Sequence, residues 1–197
     1  MNFLVNKIVC AIGCVAKDNN SKLNAKHIAF AAMAVALAVV TSMIKVIKLP
    51  MGGSVTLFSM LFIVLIGYWY GIKTGLTAAL AYGVLQLLLD PYILNIPQVL
   101  LDYILGFGAL GLSGIFSNSK HGLIKGYIVG VIGRFICSFL SGWIFFAVYT
   151  PEFFNSAILY SIVYNGSYIG LEAAVTLVVI SLPPVNKALA YVKNNLV

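Results

Sequence analysis

The sequence predicts an all-α membrane protein with six transmembrane helices. Of its 197 residues, 61% are hydrophobic and only 9% are charged, and a water-soluble domain of this size could not cover so much apolar surface. The apolar residues fall into six segments that are separated by short polar stretches. The 18 glycines and an aromatic content of 13% are typical of closely packed membrane helices.

The boundaries of the helices follow from the apolar runs and from the prolines and glycines beside them. Pro97 fits the first turn of the fourth helix, and Pro183 stops the sixth because proline cannot continue a helix. The second and third helices are short and meet at Gly71, where a helical hairpin and a tilted or broken helix are alternatives. The predicted spans are about 25–44, 55–71, 73–89, 97–117, 122–148 and 157–182.

The basic residues predict that both termini are cytoplasmic. With a cytoplasmic N-terminus, nine lysines lie on the inner side and only Lys45 and Lys48 lie in an outer loop, and cytoplasmic loops carry the excess of Lys and Arg. The net charge of +7 is therefore a topology signal and does not indicate nucleic-acid binding. We predict a cytoplasmic extension at 1–24 with amphipathic character, a membrane domain at 25–185 and a cytoplasmic tail at 186–197.

Three charged residues lie well inside predicted spans, away from the span ends: Asp102, Arg134 and Glu172. A charge at the centre of a membrane helix costs about 2.5–3.5 kcal/mol, so it persists where it faces a partner, a cavity or a ligand. With a rise of about 1.5 Å per residue, Asp102 is roughly 8 Å, Gly142 roughly 10 Å and Asn165 roughly 12 Å from the outer helix ends. We predict that Asp102, Gly142 and Asn165, which lie on three different helices, line one site that opens outward.

Arg134 and Glu172 are each roughly 22 Å from the outer ends of their helices, and this shared depth predicts a structural ion pair between them. Asp102 then has two interpretations. It pairs with Arg134 inside the bundle, or it lacks a basic partner at its own depth and binds a cationic ligand. Nearby aromatic faces would support such a cation through cation–π contacts.

The sequence contains no recognisable catalytic or metal-binding motif. HExxH, GxSxG and Walker A sequences are absent, and the two histidines, His27 and His121, are both predicted on the cytoplasmic side. Three cysteines do not make a disulfide framework. We therefore expect no enzymatic activity, no cofactor and no metal. A membrane enzyme, or a structural subunit that binds no solute, stays as an alternative.

Four motifs stand out in order along the chain: LPMGGSVTLFSM (Leu49–Met60), PQVLLDY (Pro97–Tyr103), RFICSFLSGWIFF (Arg134–Phe146) and YSIVYNGSY (Tyr160–Tyr168). In this order and spacing they resemble the thiamine-specific S-component of energy-coupling factor (ECF) transporters, over about residues 26–182. The resemblance implies a six-helix bundle in a prokaryotic cell membrane that captures thiamine from outside. It implies as partners a transmembrane scaffold subunit and two cytoplasmic ATPase subunits, which hydrolyse ATP in place of this chain.

The resemblance also implies roles for single residues. Asp102 would meet the cationic thiazolium ring or the aminopyrimidine ring of thiamine, and Asn165 would hydrogen-bond the aminopyrimidine. Tyr103, Phe146 and Tyr164 would stack on the rings, and the loop after the first helix would close over the site. The implied ligand-binding residues are Gly53, Ser54, Asp102, Tyr103, Ser138, Gly142, Phe146, Tyr164 and Asn165.

The chain departs from the family at Ser138, which stands in SFLSG where the family usually has a histidine. The smaller hydroxyl predicts weaker thiamine binding, or a preference for a thiamine precursor or a related small vitamin. In the first helix, Ala32 and Ala36 form a small-xxx-small pair that lets another helix approach closely. The resemblance implies that this pair docks on the scaffold subunit, and packing within the chain's own bundle is the alternative.

Overall fold

The computed structural model describes residues 25–152 and 154–195 of the chain. Most of this part is helical, and we number its longer helices α1 to α7. The predicted N-terminal extension, 1–24, lies outside the described residues. The helices are α1 Ala25–Met43, α2 Ser59–Tyr70, α3 Ile72–Leu89, α4 Ile96–Phe116, α5 Gly122–Phe145, α6 Ala157–Ser181 and α7 Pro183–Asn195.

Four helices, α3 to α6, are long and apolar enough to cross a membrane. Helices α1 and α2 contribute shorter apolar stretches, His27–Met43 and Ser59–Tyr70. The mostly helical architecture predicted from the sequence is confirmed, and a helix lies at each of the six predicted positions. Many large apolar side chains point away from the bundle, as the lipid-facing surface of such a protein requires.

A β-hairpin takes the place of the expected start of the second span. Strands β1 (Lys45–Lys48) and β2 (Ser54–Thr56) pair antiparallel around a helical turn at Pro50–Gly52. Gly52 has a φ of 89°, a conformation that glycine adopts without steric cost. The prediction of a helix from residue 55 is wrong because this segment pairs with β1. Helix α2 keeps only 12 residues, a length of about 18 Å.

Helices α2 and α3 meet without a loop at Gly71. Its φ of 84° is in the range that favours glycine, and its N–H donates to the carbonyl of Gly67 at 2.9 Å. Helix α4 crosses this junction closely, since a Cβ at Gly114 would lie 2.4 Å from the Cα of Ile72. Glycines therefore let three backbones come together at this end of the bundle.

Helix α4 changes its geometry along its length. It begins as an α-helix at Ile96–Val99, where the Asn95 side chain caps it by accepting from the N–H of Gln98 at 2.8 Å. It then widens into a π-helical segment, Leu100–Leu105, and ends as a 3₁₀-helix at Ala109–Phe116. Short π-helical segments occur often at functional sites, and this one contains Asp102.

Helix α7 occupies most of the segment that the sequence predicts as a tail. The Lys193 ammonium donates to the carbonyl of Ser117 and lies 4.1 Å from the centre of the Tyr68 ring. Burial of the ammonium lowers the pKa of Lys193 below its usual value. The proline pair ends α6 as predicted, but Pro183 then begins α7, where a helix tolerates proline in its first turn.

Candidate ligand-binding site

A cavity of about 180 Å³ lies between the β-hairpin and helices α3 to α6. Its wall combines aromatic rings with polar side chains, a composition typical of small-molecule sites. The structure brings all the residues of the implied ligand-binding set to this cavity. They are Gly53, Ser54, Asp102, Tyr103, Ser138, Gly142, Phe146, Tyr164 and Asn165.

The Asp102 carboxylate is held from one side by two hydrogen bonds. Its Oδ2 accepts from Nε2 of Gln98 at 2.7 Å and from Oγ of Ser141 at 2.7 Å. Within the described residues, Oδ1 of Asp102 has no hydrogen-bond partner. The carboxylate is therefore fixed in orientation while one oxygen stays free to meet a ligand.

Gln98 is the residue that ties Asp102 to the loop before α4. It is 1% exposed, and its Nε2 also donates to the carbonyl of Tyr92 at 3.1 Å while its Oε1 accepts from the N–H of Leu94 at 3.1 Å. The sequence analysis did not single out Gln98. A signal was present, because a glutamine four residues before an aspartate shares its helix face.

Asn165 is fixed by its own helix, α6. Its Nδ2 donates to the carbonyl and the Oγ of Ser161, at 3.0 and 3.2 Å, and its Oδ1 accepts from the hydroxyl of Tyr168 at 3.0 Å. The facing wall is Gly142 of α5, where a Cβ would lie 2.3 Å from Oγ of Ser161 and 2.8 Å from Nδ2 of Asn165. The absence of a side chain at 142 thus permits this arrangement.

We expect Gly142→Ala to destabilise the protein by about 1–3 kcal/mol, because the added methyl overpacks a site that cannot accommodate it. The matched control is Gly170→Ala on α6, where a Cβ would meet nothing within 4 Å and alanine favours the helix. Thermal unfolding of the purified protein should show a lower midpoint for Gly142→Ala and an unchanged or higher midpoint for Gly170→Ala. Equal midpoints for the two variants would contradict this packing.

The β-hairpin covers the cavity and is fastened to α6 at its tip. The Tyr164 hydroxyl accepts from the N–H of Gly53 at 3.0 Å and donates to the carbonyl of Pro50. An ion pair between Lys45 and Asp90 joins the base of the hairpin to the end of α3. The covering loop expected after the first helix is therefore a hairpin that is attached to α6 and to the end of α3.

The loop between α3 and α4 forms a second cover. The Tyr103 hydroxyl accepts from the N–H of Tyr92 at 2.8 Å and donates to the carbonyl of Asp90 at 2.9 Å. The Tyr92 ring stacks on Phe146 with 5.7 Å between ring centroids. Tyr103 therefore positions this loop, and Tyr92 joins the aromatic wall although the sequence analysis did not single it out.

The predicted ion pair between Arg134 and Glu172 is wrong. Glu172 is 5% exposed, and its Oε2 accepts from the N–H and the hydroxyl of Thr56 at 3.1 and 2.7 Å. Its Oε1 accepts from the hydroxyl of Ser59 and the N–H of Met60, both at 3.3 Å. The first N–H groups of a helix lack partners within the helix, and a carboxylate there also suits the helix dipole. Glu172 therefore caps the buried start of α2.

Arg134 lines the cavity instead. Its Cζ lies 4.0 Å from the centre of the Phe107 ring. Within the described residues, the guanidinium donates no hydrogen bond and forms no ion pair. Arg134 and Glu172 do not pair despite their similar depth, because the β-hairpin brings other donors to Glu172.

Tyr160 and Trp143, two aromatic residues of the quoted motifs, differ in their relation to the cavity. Tyr160 lines the cavity. Trp143 is 42% exposed and stacks on Phe139 with 6.2 Å between ring centroids, on the outer side of α5. Tyr160 therefore belongs to the wall of the cavity, and Trp143 does not.

The comparison with known families agrees with the resemblance seen in the sequence. The family described as "Thiamine transporter protein (Thia_YuaJ)" matches residues 28–191. The chain belongs to this family. It is therefore a transport-family protein of the bacterial cell membrane that crosses the membrane several times.

Two curated relatives are similar over most of this length. The thiamine transporter ThiT of Bacillus subtilis (strain 168) is 32% identical over 167 residues, which cover 76% of this chain and 85% of that protein. The thiamine transporter ThiT of Lacticaseibacillus paracasei is 27% identical over 127 residues, covering 56% of this chain and 63% of that protein.

A solved structure supports the fold of this family member. The structure titled "Native-SAD phasing for ThiT from Listeria monocytogenes serovar" superimposes with a TM-score of 0.65 at 24% identity. The superposition covers 80% of this chain and 94% of that one. The chain therefore shares its overall fold with that solved structure.

Proposed function

We propose that the chain captures thiamine from outside the cell as the S-component of an ECF-type importer. The observation that carries this proposal is the Asp102 carboxylate, which is oriented by Gln98 and Ser141 and keeps one oxygen free in an aromatic-walled cavity. A cationic, two-ring vitamin matches such a wall, because the carboxylate balances its charge and the rings stack on its faces. Membership of the thiamine transporter family supports the same ligand.

Each residue that lines the cavity has its own role in binding. Asp102 meets the positively charged or amino-bearing part of thiamine, and Asn165 hydrogen-bonds the aminopyrimidine. Phe146 and Tyr164 stack on the rings, with Tyr103 holding the loop that adds Tyr92. Gly142 leaves room for the ligand beside Asn165, Ser138 contacts it with a hydroxyl, and Gly53 and Ser54 of the hairpin close over it.

We propose that α1 to α6 all lie in the membrane and that both termini are cytoplasmic. A helix of about 18 Å such as α2 does not cross a hydrocarbon layer of about 30 Å alone. The β-hairpin continues its path, and its polar backbone is tolerated at that depth because it lines a cavity and meets Glu172. The bias of nine lysines against two supports the orientation.

We propose that a scaffold subunit docks on the outward face of α1 and that two ATPase subunits drive transport, so this chain hydrolyses no ATP and needs no cofactor. Ala32 and Ala36 are exposed, while Ala34 and Ala38 are 4% and 0% exposed and face the bundle. This exposure argues against the alternative that the Ala32–Ala36 pair packs inside the chain's own bundle. Small residues on a free helix face permit close approach of another helix.

Uptake of radiolabelled thiamine into membrane vesicles tests the proposal. Vesicles that contain this chain, the scaffold and the ATPase subunits should accumulate thiamine when ATP is present. Vesicles without this chain, or without ATP, should not. Uptake that is independent of this chain would contradict a capture role, and uptake that needs the chain but neither partners nor ATP would contradict the ECF mechanism.

A second candidate ligand is a thiamine precursor that contains the pyrimidine ring alone. The observation that favours it is Ser138, which is 6% exposed and lines the cavity in place of a bulkier imidazole. The extra space and the lost ring contact both favour a smaller ligand.

We expect Ser138→His to raise the affinity for thiamine by about threefold to tenfold, because a second aromatic face is worth about 0.5–1.5 kcal/mol. Calorimetric titration of wild type and variant with thiamine and with a hydroxymethylpyrimidine measures this change. If the wild type binds the pyrimidine at least about tenfold more tightly than thiamine, the precursor is the ligand. If the histidine lowers thiamine affinity, Ser138 instead belongs to a well-fitted thiamine contact.

A further inference from the structure

The cytoplasmic end of the bundle, in the proposed orientation, is positively charged. Of the four side-chain carboxylates in the described part of the chain, Asp90 and Glu152 lie in outer loops, and Asp102 and Glu172 lie within membrane helices. Exposed lysines lie at the cytoplasmic end, in the first turns of α3 and α5, in the loop before α5 and on α7. They are Lys73, Lys125, Lys120 and Lys187. No described carboxylate is therefore available at this end to neutralise them.

The outer end differs, because its charges balance. Lys45 forms an ion pair with Asp90, and Lys48 and Glu152 are the other two charged residues of the described outer loops. Two lysines and two carboxylates give this end a formal charge of zero. Within the described residues, the chain therefore presents net positive charge to the inner leaflet of the membrane and none to the outer leaflet.

The lipid-facing stripe of α5 ends in a lysine. Ile128, Ile132 and Ile136 are 39%, 52% and 49% exposed, and they follow the exposed Lys125 by three, seven and eleven residues. Side chains with this spacing share one face of a helix. Lys125 therefore lies at the cytoplasmic end of an apolar surface that faces the acyl chains of the membrane.

Helix α3 repeats this arrangement. Leu80 and Val84 are 41% and 44% exposed, and they follow the exposed Lys73 by seven and eleven residues. Thr77 lies on the same face, and its hydroxyl donates to the carbonyl of Lys73 at 3.0 Å, so this polar group is satisfied within the helix. The lipid-facing stripe of α3 therefore also ends in a lysine whose ammonium has no described partner.

A partner that fits both stripes must combine a negative group with an apolar chain. An acidic soluble protein could neutralise the lysines, but it would leave the apolar stripes above them uncovered. An anionic phospholipid carries a phosphate and acyl chains in the required order. Lysine suits such a partner, because its long apolar stem follows the stripe while its ammonium reaches the headgroup level.

We propose that the cytoplasmic ends of α3 and α5 bind anionic phospholipids of the inner leaflet. The phosphate lies against Lys73 or Lys125, and the acyl chains lie along the apolar stripe of the same helix. This inference rests on the orientation given in the proposed function. On α7, the exposed Lys187 and Tyr191 are four residues apart and share a face, and tyrosine is common at the headgroup level. Each lysine near an anionic surface contributes roughly fivefold in affinity.

Native mass spectrometry of the purified full chain, mixed with equimolar phosphatidylglycerol and phosphatidylcholine, measures the preference for an anionic headgroup. We expect the wild type to bind phosphatidylglycerol at least about fivefold more tightly than phosphatidylcholine. Lys73→Gln and Lys125→Gln should each reduce this ratio by about twofold or more, and the double variant should bring it to about twofold or less. Both lysines are exposed, so the variants should fold with unchanged thermal midpoints.

The matched control is Lys48→Gln, which removes one lysine charge from the outer end and should keep the wild-type ratio. A wild-type ratio near one would overturn the proposal. An equal fall in the ratio for Lys48→Gln and Lys125→Gln would also overturn it, because the preference would then depend on net charge alone.

The role of the acyl chains is tested with sn-glycerol 1-phosphate, which carries the phosphate without them. At constant ionic strength, an excess of this compound should leave the binding of phosphatidylglycerol unchanged. Displacement of the lipid would show that the lysines bind a soluble phosphate instead. If the wild type shows no headgroup preference but the double variant abolishes ATP-driven uptake in phosphatidylcholine vesicles, the lysines face an acidic surface of a partner subunit and the lipid assignment is wrong.

The lipid measurement does not use thiamine, so this inference and the proposed function can fail separately. Headgroup preference without thiamine binding would support the lipid site and contradict the proposed ligand, and thiamine binding without headgroup preference would do the reverse. The orientation is checked with Ser119→Cys, in the exposed loop before α5, which should not react with a membrane-impermeant maleimide in intact cells. Reaction at this position would place the lysines outside and overturn the assignment to the inner leaflet.

Discussion

Asp102→Asn is expected to lower the affinity for thiamine by at least about tenfold, equivalent to about 1.4 kcal/mol, while the fold is retained. Asparagine has nearly the same shape and keeps an oxygen that accepts from Gln98 and Ser141, so the local hydrogen bonds survive. The negative charge is lost. Two unit charges about 4 Å apart at an effective dielectric constant near 20 interact by about 4 kcal/mol, so the expected loss is well within that range.

The matched control for this variant is Glu152→Gln. Glu152 is exposed and does not belong to the cavity wall, so this change removes one negative charge from the chain without touching the site. Calorimetric titration should show wild-type affinity for Glu152→Gln and a large loss for Asp102→Asn. Affinities that agree within about twofold for both variants would show that no cation sits at Asp102.

Glu172→Ala is expected to destabilise the protein by about 3–5 kcal/mol, because several buried donors lose their charged acceptor and each unsatisfied buried donor costs about 1–3 kcal/mol. The Glu172 carboxylate accepts four hydrogen bonds from the end of β2 and the start of α2. Its loss leaves these two N–H groups and two hydroxyls buried without the carboxylate that accepted from them. Because β2 is the base of the covering hairpin, we also expect thiamine to dissociate faster, by at least about tenfold.

Two milder variants should destabilise the protein less than Glu172→Ala does. Thr56→Val removes the hydroxyl bonds to Glu172 at 2.7 Å and to Ser59 at 2.6 Å but leaves the carboxylate in place, and it should cost about 1–2 kcal/mol. Glu172→Gln keeps one acceptor oxygen but turns an NH₂ group toward donors, so its midpoint should fall between those of Thr56→Val and Glu172→Ala. Chemical unfolding and stopped-flow dissociation measure the two quantities. A Glu172→Ala protein with wild-type stability and dissociation rate would contradict the role of Glu172 as the anchor of the hairpin.

Counting depth along straight helices was sufficient to bring part of the site together. Asp102, Gly142 and Asn165 were predicted at one level from the helix rise alone, and the structure places all three on one cavity. The method works there because each residue lies within a few turns of a helix end that prolines or polar residues mark in the sequence. Over so few turns, a small error in the assumed rise per residue changes the calculated depth only slightly.

The same counting failed for Glu172 because its partners are not on a membrane helix. The segment around Val55 is apolar and continuous with α2 in the sequence, so it was assigned to a helix, but it forms β2. Nothing local in Lys45–Lys48 or Ser54–Thr56 predicts that they pair, since both strands are short. Once the hairpin forms, Thr56 and Ser59 satisfy Glu172 and leave Arg134 to the cavity.

The covers of the cavity depend on contacts between distant parts of the chain. Gly53 bonds to Tyr164, 111 residues away, and Lys45 pairs with Asp90, 45 residues away. A single sequence contains no periodicity that reports such pairs. The contact between Gln98 and Asp102 is predictable from the sequence, because residues four apart on one helix lie on the same face.

Calorimetric titration of the purified wild-type protein with thiamine tests the central claim most directly, namely that the cavity around Asp102 holds this vitamin. We predict saturable binding of one thiamine per chain with a dissociation constant below about 1 µM. No heat of binding with thiamine at about 100 µM, from a protein that still unfolds cooperatively, would contradict the account.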